Sequence, residues 1–188
     1  MDNLEAVDVA HTEFERRLRR VGADDWGRPT PCSEWSVHDL VNHVVAVARL
    51  YVLLLDGCTR ERANEELAVD ALGDDPLGAF ESHTTALAAA FRRPGALEAS
   101  CAHPLGDSTG LSLLRGRAGD VALHSWDLAR ALGVDEQLDA RLVDHTLEVF
   151  IPNAERFVAA GAVAPPTGAT DRSVPPLIRL LRLAGRTP

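Results

Sequence analysis

At 188 residues, with 46% hydrophobic and 25% charged positions, the chain has the size and composition of one globular domain, expected to span 1–188. Its net charge is −9 and all 19 basic residues are arginine; so acidic a chain is a poor nucleic-acid binder and lacks the polybasic signal of an anionic-membrane binder, so neither is expected as a partner. Three further features point to the cytoplasm. Met1-Asp2-Asn3-Leu4-Glu5 lacks the regions of a signal peptide, the longest apolar run (Val44 to Leu55) is too short to span a bilayer and carries Arg49, and Cys32, Cys58 and Cys101 form no Cys-x-x-Cys pair.

Leu4, Val7, His11, Phe14, Leu18 and Val21 keep a helical rhythm and predict a first amphipathic helix ending before Gly22. His11 lies on its stripe, where a hydrogen-bonded core histidine is the first reading and a metal ligand the second. Trp26 to Ser36 is a loop, because Pro29 and Pro31 exclude a helix. Cys32, within it, has no sequence neighbour that would favour a thiolate, so it is assigned no role. Ser36 is an N-cap with Asp39 three residues on, and Trp35 and Leu40 stand at the positions of a hydrophobic staple. The helix that follows runs from Val37 to about Asp56, and its stripe of Leu40, His43, Val47, Leu50 and Leu54 sets His43 into an apolar face. His38 points elsewhere and reads as surface.

Thr59 to Asp74 is charged and reads as a loop or short helix. Asp75-Pro76 opens a helix marked by Leu77, Phe80, Thr84, Leu87 and Phe91, stopped at Pro94-Gly95. Ala96 to Gly110 is a linker, and Leu111 to Leu132, free of proline, reads as one long helix. Leu138, Leu142, Val149 and Phe157 mark a fifth helix kinked at Pro152, with His145 near its stripe and without a role. Residues 159–174 read as irregular, and Pro175-Pro176 begins a short C-terminal helix. No run alternates as a strand should. The fold class expected is all-α: a four-helix bundle with crossover connections plus additional C-terminal helices.

The long helix carries Asp120-Val121-Ala122-Leu123-His124-Ser125-Trp126-Asp127. Residues four apart share a helix face, so Asp120 and His124 stand side by side, on the side of Leu113, Val121, Leu128 and Ala131. Such a pair facing a core must be neutralised, hydrogen-bonded or metal-bound. Taken alone, the pattern reads as a core histidine held by an aspartate. With His43 on a facing helix, however, two imidazoles and a carboxylate make a three-ligand set suited to Zn²⁺, and one that Ni²⁺, Co²⁺ or iron would also accept. The set leaves a position for water or substrate. Asp127 lies near the His124 side and is expected to support that ring or the helix packing, not to bind metal. Trp126 points nearly opposite, toward another helix.

Two long segments carry a resemblance. Pro29-Thr30-Pro31-Cys32-Ser33-Glu34-Trp35-Ser36-Val37-His38-Asp39-Leu40-Val41-Asn42-His43 resembles the TPC-x-x-W-T-V-x-D-L-x-x-H signature of the mycothiol-dependent maleylpyruvate isomerase N-terminal domain family, within the DinB-like superfamily. Asp120 to Ala131 resembles its [ED]-x-x-x-H-x-W-D-L-A-R-A signature. The tail from Arg179 to Pro188 resembles its RLL-x-x-x-GRDP ending, with Thr187 in place of aspartate. The resemblance implies a DinB-like bundle, metal ligation by His43, Asp120 and His124, mycothiol as co-substrate, and often a homodimer. The acid here is Asp where the isomerase has Glu, and the chain leaves no room for the isomerase's further C-terminal domain; both weigh against maleylpyruvate isomerisation itself.

The function implied is metal- and thiol-dependent transfer to, or isomerisation of, a small electrophilic substrate. Two alternatives stand beside it: a non-catalytic metal- or ligand-binding, stress-related protein, and a metal-dependent hydrolase, for which Asp127 and Asp39 are the only evident bases. The residues of catalysis beyond the metal set are unassigned.

Overall fold

The computed structural model describes residues 1–188. Its helices are α1 (Asn3–Leu18), α2 (Val37–Leu55), α3 (Arg60–Leu67), α4 (Pro76–Phe91), α5 (Gly110–Leu132), α6 (Ala140–Phe150), α7 (Ala154–Ala159) and α8 (Pro176–Leu183). Local chemistry places the starts. Ser36 caps α2 with a complete capping box, Ser36 Oγ accepting from Asp39 N while Asp39 Oδ2 accepts from Ser36 N. Asp75 caps α4 ahead of Pro76, and Gly133, in the left-handed conformation, ends α5. At the Pro152 kink a 3₁₀ turn (Ile151–Asn153) separates α6 from α7.

The bundle is the ring α1–α5–α2–α4: each helix packs on the next, and α4 closes on α1. Consecutive helices α1 and α2 are therefore diagonal, as are α4 and α5. Both connections must cross an end of the bundle, which is why they are long. The core they enclose includes Phe14, Leu40, Leu50, Leu54, Leu87, Leu114 and Leu128, and burial of each such side chain contributes roughly 1.5–3 kcal/mol. A second cluster lies on the opposite side of α5, where Leu123 and Trp126 pack with Val143, Leu147 and Phe150 of α6 and Leu180 and Leu181 of α8. Trp126 thus faces away from His124, as helical phase requires. Arg17, almost fully buried, donates to the carbonyls of Asp135 and Gln137 and ties α1 to the α5–α6 connection.

Two expectations are corrected. The linker before α5 contains a small antiparallel pair, β1 (Ser100–Cys101) with β2 (Ser108–Thr109). Strands of two residues are too short to show an alternating pattern. The run from Val44 to Leu55, expected to be too short to span a bilayer, lies in the helix expected from Val37, and α2 as a whole, with 19 residues and a mean hydropathy of 1.4 over 18 of them, is by length and composition enough to cross a membrane. Within this fold 61% of that stretch is buried against the other helices.

Gly110 opens α5 where the linker backbone presses on it; a Cβ there would stand 1.9 Å from the Ala96 carbonyl oxygen. Gly110→Ala is expected to destabilise the protein by at least about 1–3 kcal/mol in urea denaturation, as overpacking does. Gly27→Ala, which meets nothing within 4 Å, should stay within about 0.5 kcal/mol. Equal midpoints for the two variants would contradict this account of the helix start.

Candidate metal centre

The site is built where α2 and α5 face each other. His43 Nε2 lies 3.2 Å from Asp120 Oδ1, and His124 Nε2 lies 3.4 Å from the same oxygen. The two imidazole centroids are 4.9 Å apart. Three donor atoms, one from each of His43, Asp120 and His124, fall within 4.8 Å of one another. The fold thus brings together the three residues that the sequence pointed to. The set sits at the core edge instead of deep within it: the His43 and Asp120 side chains are 28% and 25% exposed, whereas His124 is nearly enclosed.

The other edge of each α5 member of this group is already engaged. Asp120 Oδ2 accepts from Arg117 Nη1 at 3.2 Å. Arg117 has no exposed surface; it also donates to the Val44 carbonyl at 2.9 Å and to His11 Nε2 at 3.3 Å. His11 is the hydrogen-bonded core histidine of the first reading. Burial and the Arg117 charge hold its pKa well below the ordinary value, so its ring is a neutral acceptor. On the far side of His124, Nδ1 lies 3.0 Å from Asp127 Oδ2. Asp127 is fully buried, and Arg186 grips it with Nη2 2.7 Å from Oδ2 and Nε 3.2 Å from Oδ1. Asp127 therefore supports the ring of His124, as its position on the helix implies.

The loop before α2 completes the surroundings. Thr30 Oγ1 donates to the Trp35 carbonyl, and Trp35 N donates to the Cys32 carbonyl. Glu34 takes the left-handed conformation with φ 70°, which lets the chain reverse in so few residues. The turn lays the Trp35 ring over both imidazoles, with centroids 4.8 Å from His43 and 5.7 Å from His124. Cys32 Sγ lands 3.2 Å from Asp127 Oδ2, 3.8 Å from His124 Nδ1 and 3.6 Å from Arg186 Nη2. A recess of ≈ 210 Å³, lined by Trp35, Asp39, Asn42, His43, Ala46 and Leu67, opens beside His43.

Cys32, His124 and Asp127 form a second group of ligand-type side chains. Its chemistry is wrong for a cation: both oxygens of Asp127 are already bonded to a guanidinium, and a metal would have to displace that charge. The first group suits one better. Its free atoms are two imidazole nitrogens and a carboxylate oxygen, a donor set that zinc and its neighbours accept.

Arg117 is a contribution that the sequence did not reveal, and Trp35, Cys32 and Arg186, although they lie in the resembled segments, are assigned no part in the site there. Arg117 stands one turn before Asp120, and that i, i+3 spacing was the only local signal.

Burial works against charge on Asp120, yet the His43 and His124 imidazoles outweigh it and hold the carboxyl well below the usual carboxylate range. Burial also opposes a charged His124, but its contacts with Asp120, Asp127 and Cys32 hold the ring well above the ordinary histidine value. Against its own burial, Asp127 is lowered to about 2 by His124 and Arg186. The signs differ. In metal-free protein, the raised His124 contributes stability that is full below the ordinary histidine pKa and is lost as pH rises through its folded value. Asp127 contributes stability that is full above its unfolded value and is lost as pH falls toward 2. Urea midpoints in EDTA should therefore show Asp127→Asn trailing the parent at pH 5 and converging with it as pH falls to about 2. A gap independent of pH would contradict the assignment.

The model of the Mycothiol maleylpyruvate isomerase N-terminal domain matches residues 7–129. Two proteins of Mycobacterium tuberculosis, Uncharacterized protein MT0763 of strain CDC 1551 / Oshkosh and Uncharacterized protein Rv0738 of strain ATCC 25618 / H37Rv, are each 32% identical to this chain over 206 aligned positions, covering 100% of it and 99% of themselves. Among solved structures, the mycothiol-dependent maleylpyruvate isomerase aligns with a TM-score of 0.58 at 20% identity, and a histidine-to-alanine mutant of it with 0.61 at 19%. Each alignment covers 77% of this chain and 66% of the isomerase, so this chain spans just under two thirds of that enzyme's length. By sequence along most of its length and by its DinB-like bundle, the chain belongs to the mycothiol maleylpyruvate isomerase N-terminal domain family.

Proposed function

We propose that this protein holds a divalent cation, zinc before nickel or cobalt, on His43 Nε2, Asp120 Oδ1 and His124 Nε2. It would use that cation with mycothiol, a low-molecular-weight thiol, to transfer the thiol to a small electrophile or to isomerise it. The observation that carries this reading is the convergence of three donor atoms whose ligands are each held from behind or from beside. When bound, the cation would supply the positive charge that favours the ionised, nucleophilic form of a thiol. The chain's own residues do the rest. Arg117 fixes which oxygen of Asp120 is presented, Asp127 keeps the proton of His124 on Nδ1, and Trp35 shields the two imidazoles from water. The recess beside His43 admits a small molecule. The family description and the titles of the similar structures both name mycothiol and maleylpyruvate isomerase, which supports the choice of thiol and of reaction class.

Hydrolysis is less well supported. Asp127 is held by Arg186, and Asp39 is bound into the Ser36 cap, so neither of the two nearby carboxylates is free to act as a general base. Because α5 serves both hydrophobic clusters, we read residues 1–188 as a single domain. The free cysteines suit the cytoplasm, and the DinB-like resemblance favours a homodimer.

Elemental analysis of purified protein tests the ligands. His43→Ala and His124→Ala should lose stoichiometric metal, Asp120→Ala should bind far more weakly and Asp120→Glu should retain it. His38→Ala, His83→Ala and His145→Ala should be unchanged. Full occupancy in His43→Ala would sink the assignment. Affinity should fall as pH drops, because ligation needs unprotonated imidazoles.

The chemistry is tested by incubating metal-loaded protein with mycothiol and a panel of electrophiles, with products read by mass spectrometry. The expected result is an adduct or isomer that requires the thiol and disappears in His124→Ala. Formation at the uncatalysed rate for every electrophile would refute the catalytic reading and leave a binding protein.

A further inference from the structure

The stretch after α8 is built to deliver one side chain. Gly185 takes φ 78°, and a Cβ there would fall 2.6 Å from Ala164 Cβ and 2.8 Å from the Ala164 carbonyl oxygen, so glycine is required on both counts. Arg186 N then donates to the Leu181 carbonyl, and Thr167 Oγ1 donates to the Arg186 carbonyl, so the backbone is held from two sides. Its side chain, 11% exposed, reaches Asp127, 59 residues away in sequence, and bonds both carboxylate oxygens. Asp127 in turn meets His124 Nδ1 at 3.0 Å. A lone carboxylate could rock about its own bonds. One gripped at both oxygens cannot, and it keeps a proton of His124 on Nδ1, so that Nε2, turned toward His43 and Asp120, is the ring nitrogen left for a cation once its own proton is lost.

We propose that Arg186 is a positioning residue of the metal centre, acting through Asp127 to set the tautomer and orientation of His124. The inference rests on the reading of His43, Asp120 and His124 as ligands.

The test is titration of EDTA-stripped full-length protein with Co²⁺ alone, read by the visible ligand-field bands of the bound ion. Circular dichroism confirms that each variant is folded. Arg186→Gln should bind Co²⁺ roughly 10- to 100-fold more weakly with altered bands, as loss of a partner behind a ligand does, and Arg186→Lys should recover part of the loss. In an Asp127→Asn background, Arg186→Gln should cost nothing further, because the path is already cut. Arg92→Gln, which removes an exposed arginine paired with Asp8 far from the site, should bind as the parent does. Parent-like affinity and bands in Arg186→Gln would overturn the proposal. So would an equal additional loss in the Asp127→Asn background, which would mean that Arg186 acts by some other route. Should Arg186→Gln not fold, Arg186→Lys decides: weaker Co²⁺ binding with altered bands supports the proposal, and parent-like affinity and bands overturn it. Failure of the parent itself to bind Co²⁺ would instead mark the ligand assignment as the error.

Discussion

The structure depends on one carboxylate lodged between two helices. Asp120 lies at the meeting of α2 and α5 with its two oxygens divided between opposite tasks. An ionised carboxylate removed from water is costly unless it is compensated, and here the compensation comes from His43, His124 and Arg117. Arg117 is itself a buried charge and would be as costly alone. It is satisfied by Asp120, by the Val44 carbonyl of the facing helix, and by a neutral His11 from α1. Three helices of the bundle are thus joined through one polar network. The geometry that keeps this network satisfied is also the geometry that converges three donor atoms.

Around that network, segments far apart in sequence meet at His124. The loop before α2 crosses the bundle end because α1 and α2 are diagonal partners, and the crossing places Trp35 against both imidazoles and Cys32 against Asp127. The stretch after α8 arrives from the other side with Arg186. The result is polarised. The imidazole edge toward His43 meets the partly exposed Asp120 Oδ1, whereas the edge toward Asp127 is closed and fully bonded. The donor atoms left without a guanidinium partner lie on the first side, and Arg186 occupies the second.

Much of this was legible from local rules. Helical phase put Asp120 beside His124 and sent Trp126 the other way, and the structure has both. The Ser36–Asp39 box set the register of α2, and with it the direction of His43. Caps and breakers located the long helices because they act within one turn, where sequence neighbours are also neighbours in space. The two-residue strands before α5 escaped because so short a pairing owes nothing to its own pattern and everything to the turn between.

What only the tertiary structure decided is the identity of the groups that hold the site from behind. An arginine in a helix reads as a solvated charge, and nothing in the residues near Arg117 announces that Val44 and His11 will close over it. Cys32 lacked an activating neighbour in sequence, yet in space it has three polar ones, from α5 and from the stretch after α8. Arg186 lies 59 residues from Asp127, a distance that no periodicity bridges. Short-range hydrogen bonding and helical period determined which imidazoles and carboxylates could share a face. Which charges were brought to stand behind them followed from the crossing of loops over the bundle, and that is set by how the hydrophobic faces of all the helices pack at once.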